Sequence, residues 1–227
     1  MNLASPPFPP AAITPSPLPQ MPLTCQQLLS QYPTQWQAAT IHPFLSQCQQ
    51  GTIQPQQFNT WLTQDYHFVV EFTRLAASLI QSAPVAHLDL LLGGMVVLQD
   101  ELNWFQAKAT ERDLSLDLPL QPTCATYCAF MADLAQAPYP VKATGFWAIE
   151  LAYNQGWQGH SPMVEPYVEF ADRWGNAAFT TYVELLAQQA DSALQSADKA
   201  LQTEAEKVFL TIAILEKDFW QMAYGGL

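Results

Sequence analysis

The chain is short of charge, of glycine and above all of cations. Only 12% of its 227 residues are Asp, Glu, Lys or Arg, and only nine are glycine. Disordered chains combine high charge with low hydrophobicity, so this composition argues for a packed core of one domain. Eight Lys and Arg face twenty Asp and Glu, leaving a net charge of -12. With no basic cluster to offset that charge, the chain repels nucleic-acid phosphates and anionic lipid headgroups, which argues against either as a partner. There is no run of about 18 apolar residues, so no membrane-spanning helix is expected. A basic stretch followed by an apolar core is missing at the N-terminus, so no secretory signal is expected either.

Metal and cofactor signatures are equally scarce. The four cysteines are Cys25, Cys48, Cys124 and Cys128. Cys124 and Cys128 have the spacing of neighbours on a helix, not that of a zinc pair, and no second ligand pair accompanies them. They read as reduced thiols of a cytoplasmic protein. His42, His67, His87 and His160 are isolated, with His42 placed at a helix end by Pro43. No Glu-x-x-His pair is present for a di-iron bundle, no histidine has a setting for haem, and Gly93-Gly94 belongs to no phosphate loop. No metal and no cofactor is expected.

What the chain does have is apolar bulk. Hydrophobic residues make up 49%, including seven Trp, eight Tyr and twelve Phe. That is more apolar surface than a monomer needs, and a homo-oligomer, dimer or tetramer, is expected. Eight of the eighteen prolines fall within residues 1–22, which read as a proline-rich extended tail. From residue 23 to 227 the periodicity is helical. Phe58, Trp61, Leu62, Val69, Phe72, Leu75 and Leu79 make one stripe on a helix from Pro55 to Gln81. Further helices are predicted from Pro84 to about Asp113, a shorter one opening at Pro122, then Val141 to Trp157, Pro162 to Trp174, Asn176 to Ser196 and Leu201 to Ala223. Prolines and glycines punctuate them. No strand pattern competes, so the fold class is all-α, a helical bundle.

Three of the apolar stripes carry a carboxylate. Asp65 lies four residues from both Trp61 and Val69; Glu150 lies among Phe146, Trp147, Tyr153 and Asn154; Glu216 lies among Ile212, Phe219 and Trp220. One such acid alone reads as the solvated edge of a stripe. Three on separate helices point to a shared site, because a buried carboxylate is costly unless partnered and its raised pKa suits acid–base chemistry. Glu101, between Leu98 and Phe105, reads as part of a solvated face because Asp100 adjoins it.

Three segments bring a family to mind. The run HPFLSQCQQGTIQPQQFNTWLTQDYHFV, from His42 to Val69, resembles the N-terminal signature of the TenA / thiaminase II family. FWAIELAYNQGW, from Phe146 to Trp157, resembles the central helix of its glutamate-type branch, which lacks the catalytic cysteine. LEKDFWQMAY, from Leu215 to Tyr224, resembles the C-terminal helix. The resemblance spans about Cys25 to Tyr224 and implies a single haem-oxygenase-like helical domain, usually assembled as a homo-oligomer. It implies a thiamin-salvage hydrolase that cleaves the C–N bond of an aminopyrimidine, or of its N-formyl derivative, to give hydroxymethylpyrimidine.

Carried over by position, Asp65 is the pyrimidine-binding aspartate, and Tyr127 and Glu216 are active-site residues. The cysteine nucleophile of other members falls on Gly145, and Glu150 marks the glutamate-type branch. Phe68 and Trp174 stand where the family has tyrosines and, with Phe146, are expected to sandwich the ring. On this reading Glu150 is the general base, Glu216 carries a proton to the leaving amine, and Tyr127 orients water. A non-catalytic pyrimidine-binding or regulatory protein is the alternative. A DNA-associated activator runs against the net charge.

Overall fold

The computed structural model describes residues 22–225, so most of the proline-rich tail lies outside the described residues. Among these residues there are ten α-helices and no strand. They are α1 (Cys25–Gln31), α2 (Pro33–Thr40), α3 (Pro43–Gln50), α4 (Pro55–Ser82), α5 (Leu88–Glu111), α6 (Pro122–Leu134), α7 (Tyr139–Gly159), α8 (Val168–Trp174), α9 (Ala177–Gln195) and α10 (Lys199–Gly225). None is long and apolar enough to cross a membrane.

Local chemistry sets most of the boundaries. Proline at the first turn opens α2, α3, α4, α6 and α7, where its missing N–H costs no intrahelical bond. Pro138 and Pro140, which read as chain breakers, therefore start a helix. A capping box at Thr24 opens α1, and the His42 ring accepts the Phe44 N–H at the start of α3. Gly51 closes α3 at φ 70°, a left-handed position that suits glycine.

Two predicted helices are trimmed. Pro84 leads into a short 3-10 turn, Val85–His87, before α5 begins. The segment from Pro162 is helical only from Val168. Pro166 lies inside it, lacks an N–H and disfavours helical geometry in the residue before it.

The core is organised around α7. It packs against α9 and α10, while α4 packs against α5 and α6 and touches both α7 and α10. From Val141 to Trp157 almost every side chain of α7 is buried, as expected of a helix surrounded by others. Its polar members Lys142, Thr144, Glu150 and Asn154 are therefore committed to the interior. Asn154 donates to the Trp174 carbonyl and so ties α7 to the end of α8.

Candidate active site

The expected acids fall into two adjoining groups. The first is sealed. Asp65 on α4 accepts a hydrogen bond from the Tyr153 hydroxyl of α7. Glu216 on α10 accepts one from the Tyr127 hydroxyl of α6 at 2.6 Å. All four side chains are buried. Phe68 lies between the two tyrosines, edge-on to Tyr127 at 4.8 Å and stacked with Tyr153 at 5.9 Å. Asp65 Oδ2 and Glu216 Oε2 are buried with no partner among the described residues. Burial raises the Asp65 carboxyl well above its usual range against the opposing pull of Tyr153, and the nearby Glu101 and Glu216 push it further. Burial also lifts Glu216 to about 8, with Tyr127 acting the other way.

The second group surrounds a cavity of about 380 Å³ between α5, α7, α8 and α9. Asp89, Glu101, Glu150, Arg173, Asn176 and Tyr182 supply its polar wall, and Leu98 and Phe179 much of its apolar wall. Each glutamate is only 9% exposed. Glu150 is raised well above its ordinary value by burial and by Glu101, and no hydrogen bond offsets this. Glu101 is raised by burial to about 7, held back by Arg173 and the Trp174 side chain. Burial, Glu150 and Glu101 all raise the Tyr182 hydroxyl.

The two groups meet through Asp65 and Glu101, each close enough for Glu101 to affect the Asp65 carboxyl.

The site residues expected from sequence are thus only partly brought together. Of the seven, Glu150 lines the cavity. Asp65, Phe68, Tyr127 and Glu216 form the sealed group behind it. Phe146 is buried in the core, stacked on Phe72 at 4.6 Å, and does not border the cavity. Trp174 is also buried, stacked on Trp157 and edge-on to Tyr153. Gly145 faces elsewhere: a Cβ there would meet Leu134 at 2.6 Å and Val208 at 2.9 Å. Aliphatic packing surrounds that position.

Glu101 is the main correction. It reads as solvated beside Asp100, yet it is buried, because Asp100 points outward to Arg173 at 2.9 Å while Glu101 turns inward. Tyr182 and Gly94 were not singled out as a pair from sequence. A Cβ at Gly94 would meet the Tyr182 hydroxyl at 2.5 Å, so glycine makes room for that ring. Two adjacent glycines inside a helix cost roughly 1 kcal/mol each relative to alanine, and that penalty was the available signal. Among the described residues no three His, Cys, Asp or Glu side chains converge to hold a metal ion.

The comparisons agree with this architecture. A Glycine max protein named "Probable bifunctional TENA-E protein" is 34% identical over 204 residues, covering 85% of this chain and 89% of the relative. An aminopyrimidine aminohydrolase of Halalkalibacterium halodurans is 23% identical over 205 residues, covering 83% of this chain and 90% of the relative. The crystal structure of a TenA homologue from Pyrococcus furiosus superposes with a TM-score of 0.84 at 26% identity, covering 88% of this chain and 98% of that one. The profile of the TENA/THI-4/PQQC family matches residues 29–226, and the chain belongs to that family.

Proposed function

We propose that this protein is a thiamin-salvage hydrolase. It cleaves the C–N bond of 4-amino-5-aminomethyl-2-methylpyrimidine, or of its N-formyl derivative, to give the hydroxymethylpyrimidine precursor. The observation that carries this reading is Glu150: a nine-tenths-buried carboxyl with no hydrogen-bond partner among the described residues, facing a cavity of about 380 Å³ beside a second acid. Burying such a group is costly, and proton transfer at a substrate is a use that justifies the cost. Asp65, whose second oxygen is unpartnered among the described residues, and Phe68 pack behind the cavity, so a substrate ring that reached Asp65 with its amino group and ring nitrogen would displace part of that packing. Tyr127 and Glu216 close the far side of that packing.

The name of the Halalkalibacterium relative favours the same chemistry. A homo-oligomer fits the exposed Leu92, Val96 and Val97 of α5, and light scattering tests it. For the activity, purified protein and Glu150→Gln are assayed on the aminopyrimidine, its N-formyl derivative and thiamin. Turnover of a pyrimidine amine that disappears in the variant supports the hydrolase. Tight pyrimidine binding with no turnover by wild type favours the non-catalytic reading.

A further inference from the structure

The sequence alone points to Glu150 as base and Glu216 as acid. Yet Glu216 is closed off against Tyr127 and does not border the cavity, whereas Glu101 shares it with Glu150. Resting on the hydrolase reading above, we propose that Glu101 is the general base and Glu150 the general acid of one carboxyl pair in this cavity.

The division of roles follows from what faces each group. Around Glu101 are Arg173 and the Trp174 side chain on α8, which favour its ionised form, with Asp100 on its own helix opposing them. Glu150 on α7 and Tyr182 on α9 share its cavity, and the charge of Glu101 acts on Asp65 of α4 behind it. Glu150 shares the cavity with Glu101, Tyr182, Asp89 and Arg173, and among the described residues no hydrogen-bond donor reaches its oxygens and Arg173 acts on Glu101 rather than on it. When two carboxyls share a site, the one beside the cation ionises first and its partner keeps the proton. Burial raises both carboxyls, and only Glu101 has a cation beside it to oppose the rise.

The step balances within the pair. Glu101 takes a proton from water. The water oxygen bonds to the carbon bearing the nitrogen, which is the methylene of the amine or the formyl carbon of the formamide. That C–N bond breaks, and Glu150 gives its proton to the departing nitrogen. Ammonia leaves in the first case; in the second, formate and the free amine are released. A proton passing from Glu101 to Glu150 then restores the starting state, and both face one cavity.

The test is the pH dependence of kcat/KM on whichever pyrimidine wild type turns over, with Glu101→Gln, Glu101→Asp and Glu150→Gln. Wild type is expected to give a bell. Glu101→Gln should lose about 10²-fold or more and its acid limb, and Glu101→Asp should recover part of the rate. Glu150→Gln should lose the alkaline limb. Wild-type rate and profile in Glu101→Gln overturn the pair, as does an exchange of the two limbs.

Wild type inactive on every pyrimidine overturns the hydrolase reading instead. Infrared difference spectra at mildly alkaline pH, above the Glu101 value, then decide the protonation order. A protonated-carboxyl band separate from those of Asp65 and Glu216, absent in Glu150→Gln and retained in Glu101→Gln, supports it; the reverse pattern overturns it.

Discussion

Tyr153 on α7 donates its hydroxyl hydrogen to Asp65 on α4, at the boundary between the two main helix packings of the domain. The bond satisfies one buried carboxyl oxygen and leaves the other free. Tyr153→Phe removes the donor while keeping the ring that stacks on Phe68. A loss of about 1–3 kcal/mol in urea denaturation is expected, because a buried carboxyl is left without its partner. The KM for the aminopyrimidine should rise, since Asp65 is then no longer held in place.

Buried acids make stability depend on pH with a definite sign. Asp65, Glu101, Glu150 and Glu216 all have folded pKa values above their ordinary ones. The folded state therefore binds more protons than the unfolded chain across that window. Their contribution is fully present below the ordinary carboxyl range and is lost as pH rises through the folded values, about 7 for Glu101 and about 8 for Glu216. Denaturation free energies should fall from mildly acid to alkaline pH, and Glu216→Gln should make that fall shallower. An unchanged slope in the variant would contradict this account.

Gly94 and Gly93 are neighbours with opposite expectations. A Cβ at Gly94 meets the Tyr182 hydroxyl, whereas one at Gly93 meets nothing within 4 Å. Gly93→Ala should stabilise the protein by roughly 0.5–1 kcal/mol through helix propensity. Gly94→Ala should displace Tyr182 from the cavity and lower activity, with little change in stability. Thermal melts and steady-state assays on the two variants make the comparison.

Gly145→Cys tests the idea of a missing nucleophile directly. The added side chain meets Leu134, Val208 and Ile212. Overpacking of about 1–3 kcal/mol is expected, with no gain in thiaminase activity. Acquired thiamin cleavage in this variant would show that position 145 does reach the substrate.

Much of the fold was legible in one dimension. The spacing of three and four that carries Phe58, Trp61, Leu62 and Val69 onto one side of α4 is a property of helix geometry alone. The prolines that open α2, α3, α4, α6 and α7 act through their own missing N–H. The placement of Asp65, Glu150 and Glu216 on buried faces followed from the same periodicity.

Which acids share a space is a different question, and periodicity is silent on it. Asp100 and Glu101 are adjacent and similar, but α8 and α9 pack so that one meets Arg173 at the surface and the other faces the cavity. Phe146 and Glu150 lie four apart on α7, yet one enters the core against Phe72 and the other borders the cavity. The sequence by itself determined the helices and the buried side of each. Only the tertiary packing decided that Glu150 faces Glu101 and not Glu216, because the neighbour of a buried side chain is set by the helix packed against it.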